Sequence, residues 1–212
     1  MTEPLFREGS LHEAVTALRR DLLDEAGPQI STMRNYRFAL LPYHPQEELR
    51  LRQLMRQLAD DLRNEGWGVL SISLQTLLLD RIRATRKANI ESLIGREKRL
   101  YQKSPDRAVE YLRDKIALYI EGPNGIAADV ARLIQAFATK RPDDTDRTLV
   151  LIGRAGSLYP FFRSSALLKH IDGKTGHVPV VLLYPGVRKD TTSLSFMGEL
   201  APDSDYRPRI YP

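Results

Sequence analysis

Two glycine-containing turns in the sequence have residue types that can bind phosphate. Gly153-Arg-Ala-Gly-Ser157 follows a run of apolar residues, and Gly173-Lys-Thr175 has the Gly-Lys-Thr ending of a nucleotide-binding loop. In such a loop, G-x-x-x-x-G-K-[ST], backbone N–H groups wrap the phosphates and the lysine meets their charge. These two turns are the candidates for nucleotide chemistry in this chain.

The second turn lacks what that chemistry requires. Leu168 stands five positions before Gly173, where the loop needs its first glycine, and the turn ends a predicted helix just before a strand. A phosphate loop must instead leave a strand and enter a helix, so that the helix dipole faces the anion. We interpret Gly173-Lys-Thr175 as a chain turn.

The first turn lies between a predicted strand and a predicted helix, at the carboxyl edge where α/β sheets bind ligands. It has no lysine and no third glycine, and no acidic residue ends a neighbouring strand to hold a ribose. We interpret Ser157 and Pro160 as a helix cap and a first-turn proline. The alternative is that Arg154 and Tyr159 point outward as a binding surface.

The other polar residues form no catalytic pattern. Ser157 lacks the G-x-S-x-G elbow of a hydrolase, and none of the four histidines has H-E-x-x-H spacing. The acidic pairs Asp60-Asp61 and Asp143-Asp144 are better explained by solvation than by acid–base chemistry. The absence of cysteine excludes thiolate nucleophiles and ligands. We expect no enzymatic activity, no cofactor and no metal.

The stretch Arg81–Lys103 is basic and predicted to be helical. It contains eight basic residues against only Glu91 and Glu97. Such a face can neutralise nucleic-acid phosphates, bind an acidic protein partner, or simply be solvated. We expect its interleaved apolar residues to form a buried face: Ile90, Leu93, Ile94 and Leu100. The candidate nucleic-acid contacts are Arg83, Arg86, Lys87, Arg96 and Arg99.

The carboxyl-terminal segment, residues 199–212, is too rich in proline to be helical and too aromatic for a plain disordered end. We expect an extended tail whose Tyr206, Ile210 and Tyr211 pack on the domain or on a partner.

A predicted α/β fold positions these candidates. Ser10-Leu-His-Glu13 has the sequence of a capping box and starts a predicted helix over 10–26, which Gly27-Pro28 stops. Core strands are predicted within 36–73 and 148–197, the first of them closed by Pro42, with a helical insertion over 74–139 between them. A strand, a helix and a strand in close succession are typical of a parallel sheet. The predicted fold is one domain over 1–212, with a Rossmann-like or P-loop-like core that lacks a Walker A motif.

Bulk composition narrows the class of protein further. A hydrophobic share of 42% and a charged share of 28% are ordinary for a globular protein. The net charge of +5 permits nucleic-acid contact without requiring it. The first ten residues have no signal-peptide pattern, and the longest apolar runs are far short of the roughly 20 residues of a membrane helix. We expect a cytoplasmic protein with no membrane contact.

Several stretches of the chain resemble the BrxB family, a component of BREX bacteriophage-exclusion systems. They are Leu40-Leu-Pro-Tyr-His-Pro45, Leu151-Ile-Gly-Arg-Ala-Gly-Ser157, Val178-Pro-Val-Val-Leu-Leu-Tyr-Pro-Gly186, Leu194-Ser-Phe-Met-Gly-Glu-Leu200 and Tyr206-Arg-Pro-Arg-Ile-Tyr211. The resemblance implies a protein encoded beside the methyltransferase PglX, the phosphatase-like PglZ and the ATPase BrxC. The family has no established catalytic residues to carry over.

We therefore predict a non-catalytic adaptor that binds PglZ first and associates with BrxC and PglX. Six residues are candidate partner contacts: Arg154, Ser157, Tyr159, Tyr206, Arg209 and Tyr211. The alternative is a nucleic-acid-binding protein that uses the basic region Arg81–Lys103.

Overall fold

The chain folds around a six-stranded sheet with helices on both faces. The computed structural model describes residues 10–30, 37–120, 124–162, 164–171, 173–175, 177–188, 193–199 and 208–212. Within these ranges the strands are β1 Phe38–Tyr43, β2 Gly68–Ser73, β3 Thr148–Gly153, β4 Val180–Arg188, β5 Leu194–Phe196 and β6 Arg209–Ile210. Their order is β2-β3-β4-β1-β6, all parallel, and β5 pairs antiparallel with β4. The predicted α/β fold with a Rossmann-like parallel sheet is confirmed.

Side chains alternate between the two faces of the sheet, because successive residues of a strand point in opposite directions. Leu149 and Leu151 of β3 contribute to the core on one face. Val150 and Ile152 contribute to the core on the other. All four residues are buried, which explains why the sequence of this strand is a continuous run of apolar residues.

The first face is covered by α1, Leu11–Leu22, and α2, Glu48–Asn64. The helix α2 follows β1 and leads to β2, which lies at the far edge of the sheet. Its apolar residues recur at helical spacing and bury one stripe: Leu51, Met55, Leu58 and Leu62.

The second face is covered by α3, Leu74–Arg83, α6, Ile126–Thr139, and α7, Ser164–Ile171. Ser73 caps α3 by accepting a hydrogen bond from Thr76 N at 3.2 Å. This cap starts a helix directly at the end of β2.

A helical hairpin follows α3 and consists of α4, Lys87–Lys103, and α5, Pro105–Ile120. The expected buried face of α4 is wrong, because no residue of this helix is buried and Ile94 is 44% exposed. The helix packs mainly against α5 rather than against the sheet. Its apolar residues are therefore only half covered.

The first helix begins where the capping box predicts and ends earlier than expected. Ser10 Oγ accepts from Glu13 N at 3.3 Å, and Ser10 N donates to Glu13 Oε2 at 2.7 Å. The helix ends at Leu22, four residues before the predicted end at 26. After it, Asp24 Oδ1 accepts from Ala26 N at 2.9 Å, a local turn that competes with the helix.

Pro42 does not close β1, as the sequence had suggested, because the strand continues to Tyr43. Leu40 O accepts from Tyr211 N at 2.9 Å beside β6. Two residues after Leu40, the backbone nitrogen of Pro42 faces the same side of the strand, toward β6. However, β6 pairs only with Ala39 and Leu40. Its missing N–H therefore costs no strand pairing.

Candidate functional site

The loop after β3 is a tight 3-10 turn rather than the start of a long helix. Ala155–Leu158 form the turn, and α7 begins only at Ser164. The expected roles of Ser157 as a cap and Pro160 as a first-turn proline are therefore wrong. Arg154, just before the turn, has left-handed backbone angles of φ 64° and ψ 26°. This conformation is costly for a residue with a side chain.

Neighbouring side chains pack closely against both glycines of this loop. A Cβ on Gly156 would lie 3.2 Å from Met197 Sδ and 3.3 Å from Pro185 Cγ. A Cβ on Gly153 would lie 3.3 Å from Leu183 Cδ1. Neighbouring strands approach the loop closely at these two points, which gives the glycines a structural reason other than the approach of a phosphate.

The Arg154 side chain is bound by residues of two other elements. Its Nη1 donates to Glu48 Oε1 at 3.1 Å, and its Nε and Nη2 donate to Gln75 Oε1 at 3.1 and 2.7 Å. Tyr43 donates its hydroxyl hydrogen bond to the other oxygen of Glu48. We call Tyr43, Glu48, Gln75 and Arg154 the edge network, because it joins the carboxyl ends of β1, β2 and β3.

The electrostatics of the edge network keep Tyr43 protonated. Burial raises the pKa of this phenol well above its ordinary value, and the hydrogen bond to Glu48 and the charge of that residue raise the pKa further. The nearby Arg154 acts in the opposite direction. The tyrosine therefore serves as a hydrogen-bond donor to Glu48 and not as a base.

A groove of about 510 Å³ lies beside the edge network, between α2 and the end of the sheet formed by β2 and β3. Such a volume is in the range of small-ligand and peptide pockets. Its walls combine aliphatic side chains with polar ones: Tyr43, Glu48, Leu51, Arg52, Met55, Arg56, Ala59, Arg63, Ser71, Ile72, Ser73, Gln75, Leu151, Gly153, Arg154 and Leu183.

The groove is basic. Four arginines line it, with Glu48 as the single acidic residue among the lining set. Arg154 bonds Glu48, and Arg63 pairs with Asp60 at 2.9 Å. Neither Arg52 nor Arg56 has a carboxylate partner among the described residues, and both are exposed. Neither arginine was among the predicted site residues, although their i, i+4 spacing on α2 is a signal that the sequence contains.

The predicted partner contacts of the loop are partly accessible. Ser157 is exposed and Tyr159 is 36% exposed, so both can meet a second molecule. Arg154 lines the groove with its guanidinium already bonded. The structure therefore exposes Ser157 and Tyr159 on the loop, outside the residues that line the groove, and places Arg154 in the groove wall.

Two of the predicted contacts of the tail, Arg209 and Tyr211, bond residues of the chain itself. Tyr211 is 0% exposed and lies in the core under α1, so its assignment as a partner contact is wrong. Its hydroxyl donates to Asp21 Oδ2 at 3.2 Å. Arg209 pairs with the same carboxylate at 2.5 Å, and its Nη1 donates to Gln29 O at 2.7 Å. Tyr206 lies outside the described residues.

The basic region is partly neutralised by its own neighbours. Arg81 pairs with Asp129 at 2.5 Å, Arg83 with Asp80 at 3.1 Å and Lys87 with Glu91 at 3.8 Å. The remaining candidates are less constrained. Arg96 lies over the Tyr111 ring at 5.2 Å. Arg86 and Arg99 are exposed and have no ion-pair partner among the described residues.

The ion pair with Arg81 also affects Asp129. Burial raises the pKa of this carboxyl, but hydrogen bonds from Arg81 and Arg132 and their charges lower it more, so the net pKa is below the ordinary value. The residues Arg81 and Asp129 thus connect α3 to the start of α6.

The remaining sequence candidates show no metal or phosphate geometry. Gly173 has a left-handed φ of 69° and follows α7 before β4, as expected for a turn. Among the described ranges, no group of three histidine or acidic side chains could hold a metal ion. In the same ranges, no helix is both long and apolar enough to cross a membrane.

Comparison with protein-family models found a match to BREX protein BrxB over residues 70–210. The chain belongs to the BrxB family. The matched range begins within β2, includes the helical hairpin of α4 and α5, β3 and the 153–159 loop, and leaves α1, β1 and α2 outside it. Searches of curated proteins and of solved structures each found no match. As a BrxB-family member, the protein is a component of a BREX phage-defence system.

Proposed function

We propose that this BrxB-family protein is a non-catalytic adaptor of a BREX complex and that it binds the phosphatase-like component PglZ. In this proposal the protein also associates with BrxC and PglX, and any contact with nucleic acid is made through the complex. Membership of the family supports a role in the assembly. The adaptor role itself rests on the geometry of the sheet edge.

The edge network is the observation that carries the proposal. In an open α/β sheet, ligands bind outside the carboxyl ends of the strands. Here Arg154 uses three of its donors on Glu48 and Gln75 at that position. The arginine is thus held by its own chain, and the loop offers exposed Ser157 and Tyr159 to another macromolecule.

Co-expression with PglZ from the same operon tests the adaptor role. We expect the full chain, tagged, to co-purify PglZ. Loss of the Tyr159 ring in Tyr159→Ala should reduce the yield of PglZ, because aromatic side chains contribute strongly to interfaces. Leu118→Ala is the matched control, since Leu118 is 77% exposed on a different element, α5. If wild-type chain and PglZ purify separately, the adaptor proposal is wrong.

A thermal-shift measurement tests the non-catalytic part. A ligand present at a hundred times its Kd adds about 2.7 kcal/mol to the free energy of unfolding. We expect ATP and GTP with magnesium to leave the melting temperature unchanged. A clear shift, followed by nucleotide turnover with the purified chain, would show that the protein is an enzyme and would contradict the non-catalytic proposal.

Nucleic-acid binding through α4 is a second candidate. Lys98, Arg99 and Lys103 are exposed, and no carboxylate in the described part of the chain pairs with them. We expect any DNA or RNA binding to weaken steeply with salt and to disappear in Arg96→Glu/Arg99→Glu. The matched control is Arg107→Glu/Arg113→Glu, which reverses two exposed arginines on α5. Absence of binding at low salt rejects this candidate.

A further inference from the structure

We propose that the basic groove beside α2 binds a short acidic segment of a partner protein, with its carboxylates on Arg52 and Arg56. This inference rests on the proposed adaptor function and names the chemistry of the segment that the adaptor holds. The groove is the site of about 510 Å³ between α2, β2 and β3.

The two arginines are placed together on the groove side of α2. Residues four apart lie on the same face of a helix, so Arg52 and Arg56 project in nearly the same direction. Their positive charges repel each other, and no described carboxylate lies between them. Arg50 and Arg63 of the same helix do have such partners, Glu47 and Asp60. Arg56 Nε donates to Arg52 O at 3.2 Å, but no carboxylate in the described fold forms an ion pair with either arginine. An anionic occupant is therefore the charge complement that the groove lacks.

The rest of the wall favours a peptide as that occupant. The floor includes the aliphatic side chains Leu51, Met55 and Leu151, which suit apolar residues placed between acidic ones. The strand β2 pairs with β3 and with no other described strand, so it is an edge. Backbone groups at an edge can bond an extended peptide. Ser71 of this strand is exposed and lines the groove.

A nucleic-acid strand fits the wall less well. Proteins that bind single strands stack the bases on exposed aromatic rings. Tyr43 is the single aromatic residue among the lining residues, and it is only 4% exposed, with its hydroxyl bonded to Glu48. Arginine forks bind carboxylates well, and carboxylates need no stacking platform.

Fluorescence anisotropy with a labelled peptide of alternating glutamate and leucine tests the proposal on the full chain. We expect this peptide to bind wild type, and binding to weaken by at least about tenfold in Arg52→Gln/Arg56→Gln, because two charge-assisted contacts are lost. The control Arg50→Gln/Arg132→Gln removes the same charge from exposed arginines outside the groove and should bind as wild type does. A peptide with glutamine in place of glutamate should not bind.

Three results overturn the proposal: no binding of the acidic peptide at low salt, equal affinity in the groove variant and wild type, or displacement of the peptide by an oligonucleotide that needs the same arginines. Co-purification separates this failure from failure of the adaptor role. If Arg52→Gln/Arg56→Gln still recovers PglZ at wild-type yield and the peptide does not bind, the groove assignment is wrong and the adaptor stands. If wild type recovers no PglZ, the adaptor role fails.

Discussion

Replacement of Arg154 separates the two consequences of its position, the left-handed backbone and the bonded side chain. Arg154→Ala removes the hydrogen bonds to Glu48 and Gln75 and keeps a Cβ at φ 64°. Arg154→Gly removes the same bonds and also the Cβ. Comparison of the two variants therefore isolates the backbone strain.

The magnitudes follow from the contacts. Hydrogen bonds to charged groups contribute about 1.5–3 kcal/mol when buried, but the Arg154 and Glu48 side chains are 31% and 25% exposed, so solvent screening lowers the value. We expect Arg154→Ala to lower the free energy of unfolding by about 1–2 kcal/mol. Relief of the left-handed strain, offset by the greater entropy of unfolded glycine, should make Arg154→Gly about 0.5–1 kcal/mol more stable than Arg154→Ala.

Urea denaturation measures both differences, provided that the slope of the free energy against urea stays the same. In a melting experiment, each kcal/mol should appear as a shift of about 2–4 °C for a chain of this size. Gln75→Ala is the matched control, because it removes the partner and leaves the Arg154 backbone intact. An Arg154→Ala variant as stable as wild type, or a glycine variant less stable than the alanine one, would refute this reasoning.

Three further outcomes are expected. Gly186→Ala should destabilise the fold strongly, because a Cβ there would lie 2.3 Å from Ser195 O, and thermal melting measures the loss. Burial and the charge of Asp21 raise the pKa of Tyr211 above its ordinary value. Its contribution to stability is therefore complete below pH about 10 and is lost progressively as the pH rises from there toward the folded-state pKa. Tyr211→Phe should flatten that fall in urea titrations at high pH. Arg52→Gln/Arg56→Gln should leave the free energy of unfolding within about 0.5 kcal/mol of wild type in urea titrations, because relief of like-charge repulsion is offset by loss of the exposed hydrogen bond from Arg56 Nε to Arg52 O.

The controls for these outcomes use the same measurements. Gly27→Ala has open space around its Cβ and isolates the cost of a positive φ of 94° from the steric clash expected at Gly186. Unchanged pH dependence in Tyr211→Phe would contradict the assigned cause of the alkaline loss. A loss of more than about 1 kcal/mol in Arg52→Gln/Arg56→Gln would mean that these arginines have partners within the fold beyond the Arg52 carbonyl.

Local signals predicted the elements well where neighbouring residues decide the structure. The Ser10–Glu13 capping box starts α1 as expected, and the apolar run Leu149–Ile152 forms a fully buried strand. The predictions from sequence fail where contacts between elements that are distant in the chain determine the structure. The face of α4 around Ile94 was expected to be buried, and the half-covered state of this helix reflects packing against α5 instead of the sheet. The residue types of Ser157 and Pro160 are typical of a helix start, but the loop at this point forms a 3-10 turn.

The candidate site could be predicted only in part, for the same reason. The sequence pointed to the loop after β3 and to Arg154, but the partners of that arginine lie 106 and 79 positions away in Glu48 and Gln75. Tyr211 was expected to pack on the domain or on a partner. Its bond to Asp21 spans 190 positions, and no local pattern selects between those alternatives.

The sequence alone determined the α/β class, the missing Walker A pattern and the absence of cysteine, because composition, motif spacing and hydrophobic periodicity are properties of residues close together in the chain. The resemblance to the BrxB family comes from particular stretches such as Leu151-Ile-Gly-Arg-Ala-Gly-Ser157. The tertiary structure decided that Arg154 is bound from within, that Tyr211 belongs to the core, and that Arg52 and Arg56 share a groove. Those outcomes depend on which distant side chains the sheet brings together. Local spacing places Arg52 and Arg56 on one face of a helix, but it does not show which elements that face meets.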